Sequence, residues 1–349
     1  MTSATAALSV SRPRLLGAAL LSLALAAPVQ AGVDLVGINL SGAGFAPQVL
    51  PGVNGTNYIF PSEAHFQQWK ARGVTFVRFP IIWERLQPTL NGELDSTYAA
   101  LVDQSFAYAA KYGVKMVLDL HNYMRYRGNI IGTSSVPYSA YQNVMTRIAT
   151  RWSGQSALYG YDIMNEPHDA LAYWPTAAQY GINGVRAIDN TRPIFIEGNA
   201  WASSFYWPRY NDSLLALTDP ANKLIFEAHT YFDADGGGAY TTAVTSVDPQ
   251  VGVERVKPFV DWLRKNNRKG YIGEVGVPDT NSGYYTALAN MLAYLKSYCI
   301  PATYWAAGPG WGSYALSVEP TDGVTARPQW ATLKGYLDNT SCSAFGPGS

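Results

Sequence analysis

The chain of 349 residues carries 25 basic and 25 acidic side chains, so its formal net charge is zero. It has no basic stripe and no block of like charge, which argues against binding to nucleic acid or to an anionic membrane surface. The 24 Tyr and 10 Trp residues fit two interpretations, because aromatic rings fill apolar cores and also stack on the faces of neutral sugars.

The first 31 residues have the plan of a secretory signal peptide. Arg12 and Arg14 form a short positive region, residues 15–27 are an apolar run, and small residues at 29–31 offer a cleavage site. The alternative, a membrane anchor, is disfavoured because a spanning helix needs roughly 20 apolar residues. We therefore expect a secreted protein, either extracellular or, in a Gram-negative cell, periplasmic or on the outer surface. Its mature chain, residues 32–349, is expected to form one catalytic domain.

Eight short apolar runs, each bounded by turn residues, predict strands along the mature chain. They lie at residues 35–40, 75–81, 115–121, 158–165, 193–199, 224–231, 271–276 and 302–307. Helical patterns between them lie at residues 63–73, 97–112, 141–152, 176–188, 252–266 and 285–298. Strands that alternate with helices predict a parallel sheet. Eight strands in a domain of this size favour an α/β fold of the (β/α)8 TIM barrel type, as a single domain, over an open doubly wound sheet.

Polar residues collect at the predicted carboxyl ends of these strands, where barrel enzymes carry their chemistry. They are Arg78 on the second strand, His121 on the third, Asn165 and Glu166 on the fourth, His229 and Tyr231 on the sixth, Glu274 on the seventh and Trp305 on the eighth. The fourth and seventh strands lie roughly across a barrel from each other. Glu166 and Glu274 are therefore predicted to face each other at its mouth.

Two opposed carboxyl groups with neutral polar neighbours and aromatic walls are the arrangement that glycoside hydrolysis requires. One carboxyl group gives a proton to the leaving oxygen, and the other attacks or stabilises the anomeric centre. Their pKa values must differ, so Arg78 is expected to keep one group ionised while His229 tunes the other.

Other classes of protein fit the sequence less well. A metallohydrolase would show His-x-His or His-Glu-x-x-His, and a serine hydrolase would show Gly-x-Ser-x-Gly; none of these occurs. We accordingly expect no metal and no organic cofactor. A non-catalytic glycan-binding protein could use the same aromatic side chains, but it has no need of two opposed glutamates.

The two cysteines, Cys299 and Cys342, form an even set in an exported chain. This permits one disulfide that ties the end of the chain to the segment before the last strand. Two free thiols are the alternative.

The motifs "MNEP" (164–167) and "IGEVG" (272–276) resemble those of glycoside hydrolase family 5, the cellulase family. The segments "RFPIIWERLQP" (78–88), "LDLHNY" (118–123), "EAHTYFD" (227–233) and "ATYWAAG" (302–308) extend the resemblance over the mature chain. It is greatest to the bacterial and fungal endo-β-1,4-glucanase branch. The resemblance implies hydrolysis of internal bonds in a β-1,4-linked glucan polysaccharide or oligosaccharide, with retention of configuration and by a protein expected to be monomeric. Related endo-glycanases acting on mannan, mixed-linkage glucan or xyloglucan stay open as alternatives.

The resemblance also implies a role for each polar residue at the mouth. Glu166 would be the general acid/base and Glu274 the nucleophile. Asn165 would bind the sugar 2-hydroxyl, Arg78 and Tyr231 would contact Glu274, His229 would lie near Glu166, His121 would contact the sugar at the cleavage subsite, and Trp305 would form the floor of that subsite. Four further tryptophans follow strands four, five and eight and are candidates for flanking subsites, unless they pack loops: Trp174, Trp201, Trp207 and Trp311.

Overall fold

The structure, a computed structural model, describes residues 1–5, 7, 34–337 and 342–348. Almost all of the predicted signal peptide lies outside the described residues, so that part of the domain assignment stays a prediction. Residues 32–349 fall into one compact unit. Within the described residues, no helix has the length and apolar character needed to span a membrane.

Eight parallel strands close into a barrel in which each strand pairs with the next and the eighth pairs with the first. They are β1 (Val36–Leu40), β2 (Phe76–Ile81), β3 (Lys115–Leu120), β4 (Leu158–Asp162), β5 (Ile194–Glu197), β6 (Leu224–Tyr231), β7 (Gly270–Gly276) and β8 (Ala302–Ala307). The predicted barrel and all eight strands are confirmed. However, β4 ends at Asp162, so Asn165 and Glu166 lie in the loop that follows the strand and not on it.

The helices around the barrel include the six that the sequence predicts. They are α1 (Glu63–Ala71), α3 (Ser96–Tyr112), α4 (Tyr138–Trp152), α5 (Trp174–Arg186), α7 (Val251–Lys265) and α8 (Gly283–Ser297). Short elements in the loops were not predicted: α2 (Trp83–Leu86), α6 (Trp207–Tyr210), a 3-10 turn (Asp212–Ala216), α9 (Trp330–Lys334) and a hairpin of Arg125–Tyr126 with Asn129–Ile130.

Helix α3 illustrates how the sequence sets an element's bounds. The Asp95 side chain accepts the backbone N–H of Tyr98 at 2.7 Å, which satisfies one of the free donors in the first turn. The helix ends at Gly113, whose φ of 65° lies in the left-handed region that glycine adopts without strain. Between these bounds Val102, Phe106 and other apolar residues are buried against the barrel.

Side chains that point into the barrel form layers, because alternate residues of a strand face the same way. The layer at the base is apolar and consists of Phe76, Val117, Phe195, Ile225 and Tyr271, joined by Phe345 from the C-terminal tail. Two residues further along the same five strands stand Arg78, Asp119, Glu197, Glu227 and Gly273. The interior therefore changes from apolar to charged within one step of side-chain alternation.

The C-terminal tail closes the base of the barrel. Phe345 is 5% exposed, and its ring lies 5.8 Å from that of Tyr159 and 6.1 Å from those of Phe195 and Tyr271. The tail backbone is also bonded, since the carbonyl of Gly346 accepts the N–H of Gly270 at 2.7 Å.

A disulfide joins Cys299 to Cys342, 43 residues apart in sequence, which confirms the predicted pairing. The bond lies between α8 and the tail that carries Phe345. It therefore fixes the start of the segment that closes the base.

Candidate active site

Arg78 occupies the centre of the charged layer and is fully buried. Its guanidinium lies 2.8–3.1 Å from carboxylate oxygens of Asp119, Asp162, Glu197, Glu227 and Glu274. It also donates to the side-chain oxygens of Asn39 and Asn165, at 3.1 and 2.8 Å. A rigid guanidinium with five N–H donors suits this environment, since each surrounding group offers an acceptor.

Glu274 lies on β7 and is 4% exposed. One carboxylate oxygen accepts from Arg78 Nη1 at 3.0 Å, and the other accepts from the Tyr231 hydroxyl at 2.6 Å. Burial opposes ionisation of Glu274, but the positive charges of His229 and Arg78 outweigh it and lower the pKa of this carboxyl group. Glu274 is therefore held as a carboxylate.

Glu166 lies beyond β4, and its side chain is 16% exposed toward the mouth. Its Oε1 lies 2.8 Å from Nδ1 of His229, and its backbone N–H donates to Glu197 Oε2 at 2.6 Å. Burial raises the pKa of Glu166, and the negative charges of Glu274 and Glu197 add to this against the contact with His229. Glu166 therefore keeps its proton to a higher pH than an ordinary glutamate does.

The two carboxyl groups meet at His229. A carboxylate oxygen of Glu166 and one of Glu274 lie within 4.8 Å of each other and of a nitrogen of His229. Two neighbouring carboxyl groups with pKa values shifted in opposite directions form the pattern of an acid paired with a nucleophile. This approach of one oxygen from each group is closer than the separation of roughly 6.5–9.5 Å between the carboxyl groups of a water-activating pair.

An aromatic and imidazole wall stands beside this pair. The ring of Trp305 lies parallel to that of His121, with centroids 5.6 Å apart and planes inclined by 10°. Nδ1 of His121 lies 2.7 Å from Asp119, and its Nε2 lies 3.1 Å from the hydroxyl of Tyr123. Trp305 is partly exposed, so its ring can serve as a flat surface in the cleft.

The family model described as cellulase, glycosyl hydrolase family 5, matches residues 35–310, which include the whole barrel. The chain belongs to this family. The match covers every polar residue of the site, from Arg78 to Trp305, and agrees with the family that the sequence motifs resemble.

Individual relatives agree with the family assignment. Endo-β-1,4-glucanase B of Emericella nidulans is 33% identical over 323 residues, which are 90% of this chain and 96% of the relative. The crystal structure of an endoglucanase from Pseudomonas stutzeri is similar with a TM-score of 0.88 and 45% identity, covering 91% of this chain and 98% of that one. The same bacterial endoglucanase has been solved in complex with cellobiose.

All eight residues predicted at the mouth of this family 5 barrel come together. Arg78, Asn165, Tyr231 and Glu274 are joined by hydrogen bonds, and His229 connects Glu274 to Glu166. Arg78 differs from expectation in its position, since it lies inside the barrel and binds four carboxyl groups besides Glu274.

The four flanking tryptophans divide into two pairs. Trp201 is 50% exposed, lies parallel to His168 at 4.5 Å, and lines a cavity of about 480 Å³ that also includes Glu166. Trp311 is partly exposed and lies 5.6 Å from Trp305, edge to face. Both remain candidates for flanking subsites.

The prediction for Trp174 and Trp207 was wrong, because both rings are fully buried. Nε1 of Trp174 donates to the backbone carbonyl of Glu197 at 2.8 Å, so this ring supports the end of β5 from behind. Trp207 packs against Phe259 and Trp262, at 4.6 and 5.6 Å. Neither ring is accessible to a sugar.

Four buried carboxyl groups were not predicted as part of the site: Asp119, Asp162, Glu197 and Glu227. Burial raises the pKa of Asp162 well above its usual range, and it raises the pKa of Glu227 to about 7. The pKa of Asp119 is instead lowered, because Arg78 and His121 overcome the effect of burial. The pKa values of these buried carboxyl groups are therefore shifted in opposite directions.

Proposed function

We propose that the protein is a secreted endo-β-1,4-glucanase that cleaves internal bonds of a β-1,4-linked glucan with retention of configuration. The observation that carries the proposal is the pair of carboxyl groups, Glu166 and Glu274, with oxygens within 4.8 Å and pKa values shifted in opposite directions. The names of the relatives support the choice of substrate. Secretion is supported by the N-terminal pattern and by the disulfide, which forms in oxidising compartments.

In the first step Glu274 attacks the anomeric carbon while Glu166 gives its proton to the glycosidic oxygen. The bond from the anomeric carbon to that oxygen breaks, one bond to Glu274 forms, and the shortened chain leaves as an alcohol. Arg78 and the Tyr231 hydroxyl stabilise the carboxylate before attack.

In the second step Glu166, now ionised, takes a proton from water as the water oxygen attacks the anomeric carbon. The ester to Glu274 breaks, and the product leaves with its original configuration. His229, which bridges Glu166 and Glu274, keeps the two groups close through both steps.

Asn165 suits the role of binding the sugar 2-hydroxyl. Its side-chain oxygen accepts from Arg78, which orients the amide, while its Nδ2 is buried and has no hydrogen-bond partner among the described residues. A buried donor without a partner is unfavourable by about 1–3 kcal/mol, and a substrate 2-hydroxyl that comes within hydrogen-bond distance of Nδ2 on binding would remove this penalty. The parallel Trp305 and His121 rings offer the wall for the same sugar.

A panel of pure polysaccharides with product sizing tests the substrate. We expect carboxymethylcellulose to lose viscosity quickly, with a mixture of oligosaccharides as products. Faster cleavage of mannan, mixed-linkage glucan or xyloglucan would identify that polymer, and not cellulose, as the preferred substrate. Binding without release of reducing ends would contradict the enzyme assignment altogether.

Proton NMR of the first products tests the stereochemistry. A β-glucan should give the β-anomer first, followed by slow mutarotation. An initial α-product would exclude the double displacement through Glu274. No metal or cofactor has a step in this mechanism, and the expectation that none is needed stays a prediction that dialysis against a chelator can test.

A further inference from the structure

Glu197 has no role in the mechanism above, yet it contacts the groups that perform it. The side chain is fully buried at the end of β5. Its Oε1 accepts from Arg78 Nη2 at 2.8 Å, and its Oε2 accepts the backbone N–H of Glu166 at 2.6 Å. Nε2 of His229 lies 3.3 Å from the same Oε1. Arg78 and the N–H of Glu166 therefore donate to this carboxylate, while His229 lies at ion-pair distance from it and its Nε2 has no hydrogen-bond partner among the described residues.

The bond to the main chain of Glu166 matters because that residue is in an unfavourable conformation. Its φ is 41°, in the left-handed region where the Cβ of a residue lies too close to the following carbonyl oxygen. Such a conformation persists only when surrounding contacts determine it. The N–H of Glu166, held by Glu197, is one such contact, and it lies at the residue whose carboxyl group must meet the glycosidic oxygen.

The contact with His229 bears on the proton. Nδ1 of His229 faces Glu166 Oε1 at 2.8 Å, while Nε2 faces Glu197 at 3.3 Å and Glu227 at 3.7 Å. Carboxyl oxygens on both sides of the ring favour an imidazolium that presents N–H at each nitrogen. When Nδ1–H is directed at Oε1, the acidic proton of Glu166 resides on Oε2, which is left for the substrate.

The electrostatics of the ring agree with this arrangement. Burial alone would lower the pKa of His229, but the negative charges of Glu197 and Glu274 and the hydrogen bond to Glu166 outweigh burial and raise this pKa well above its usual value. The imidazole is thus held charged in a fully enclosed position.

We propose that Glu197 is a positioning residue for the acid/base, which fixes the main chain of Glu166 and the charged ring of His229 so that the Glu166 proton is directed at the leaving oxygen. The inference rests on the proposed function, since it assumes that Glu166 is the proton donor. Glu197 acts through Glu166 and need not touch the substrate.

Glutamine cannot replace Glu197 in this role although it has the same shape. An amide offers one accepting oxygen and one donating nitrogen. In either orientation the NH₂ group opposes a donor, which is the guanidinium of Arg78 in one case and the N–H of Glu166 in the other. Glu197→Gln is therefore the variant that removes the positioning with the least change in volume.

The test compares kcat/KM for two substrates that differ in their need for acid assistance. Cellotetraose has a poor leaving group and needs the proton from Glu166, whereas 2,4-dinitrophenyl β-cellobioside does not. We expect Glu197→Gln to lose about 10²-fold on cellotetraose, in the range that general acid catalysis supplies, and only a few-fold on the dinitrophenyl substrate. Equal losses on both substrates would overturn the proposal.

Two further variants make the outcome specific. Asp162→Asn also removes a carboxyl group from Arg78, at 2.9 Å, but Asp162 has no described contact with Glu166 or His229. Its effect should be the same on both substrates, and the selective pattern in this control would contradict the proposal. Glu166→Ala should show the selective pattern more strongly than Glu197→Gln. If it does not, the assignment of Glu166 as the acid fails, and the proposed function fails before the role of Glu197 is in question.

A measurement on the unaltered protein covers the case in which Glu197→Gln does not fold. The ¹⁵N chemical shifts of His229 should report both ring nitrogens protonated at pH 6. A neutral ring would overturn the proposal, whatever the variant does. Glu197→Asp keeps the charge but withdraws the oxygen from the N–H of Glu166. This variant should lose less activity than Glu197→Gln, with the same difference between the two substrates. Equal losses on both substrates would contradict the proposal.

Discussion

The two ends of the barrel interior differ although they are built from the same strands. At the base Phe76, Phe195 and Tyr271 pack around Phe345 from the tail. Two residues further along two of those strands stand Arg78 and Glu197. The base stabilises the fold mainly by burial of apolar area. The charged end gains little from burial but holds the groups that do the chemistry, so stability and activity reside in different layers.

Glu274→Ala tests the charged end and has the largest expected effect. Loss of the nucleophile should lower kcat on carboxymethylcellulose by about 10⁴-fold or more. The melting temperature should stay near that of the unaltered protein, because the apolar base is unchanged. Activity within tenfold of the original, measured as released reducing ends, would show that Glu274 is not the nucleophile.

Phe345→Ala tests the base. Removing a buried phenyl ring should lower the free energy of unfolding by about 3–5 kcal/mol. Activity per folded molecule at 25 °C should be unchanged, since the ring lies below the charged layer. Urea unfolding gives the stability, and Phe205→Ala, which removes a ring that is 44% exposed, is the matched control with a much smaller loss. A comparable loss in the control would show that a ring at the base contributes no more to stability than an exposed ring does.

The disulfide should have a somewhat smaller effect on the same end. Closing a loop of 43 residues lowers the entropy of the unfolded chain by an amount equivalent to about 4 kcal/mol at 25 °C. We therefore expect Cys299→Ser with Cys342→Ser to cost about 2–4 kcal/mol and to leave kcat unchanged. A fall in kcat with no change in stability would mean that the two ends of the barrel are coupled.

Glu227→Gln should change how the stability of the protein depends on pH. The pKa of Glu227 is raised from 4.5 to about 7, so the folded protein holds this proton more tightly than the unfolded chain does. The free energy that protonated Glu227 contributes to stability is fully present below about pH 4.5 and is lost as the pH rises through 7. The variant should therefore gain stability relative to the unaltered protein between pH 4.5 and 7. Glu254→Gln, at an exposed position on α7, should not.

Much of the fold could be predicted from the sequence because barrel strands are short apolar runs with clear boundaries. The bounds of β6 and β8 agree with the prediction at both ends. The end of β4 was misplaced because Ile163 and Met164 continue the apolar run after the ladder has stopped. Both side chains are fully buried, so hydrophobicity continues where strand pairing does not.

The polar residues predicted at the mouth come together, but the acidic residues that surround Arg78 deeper in the barrel were not predicted. Asp119, Glu197 and Glu227 are acidic residues within apolar segments, and such residues are almost never buried without partners. That signal was available. Their common partner, Arg78, could not be identified, because the contact crosses the barrel axis and depends on which way each strand faces.

For the tryptophans, the sequence did not distinguish a ring in the cleft from a ring in the core. Trp174 and Trp201 both follow a strand in sequence, yet the first is buried and the second is half exposed. In the sequence, each was identified only as a tryptophan in a segment that follows a strand. Only the packing of α5 against the barrel decides which ring faces the solvent.

Gly273 has a consequence for anyone who redesigns this barrel. It is the member of the charged layer with no side chain, and a Cβ there would overlap with Oε1 of Glu227. Positions 227 and 273 therefore share one volume, and their substitutions should be strongly epistatic. A library that varies either position alone samples mostly clashes, whereas a library that shrinks residue 227 while enlarging residue 273 explores a pocket that single changes cannot reach.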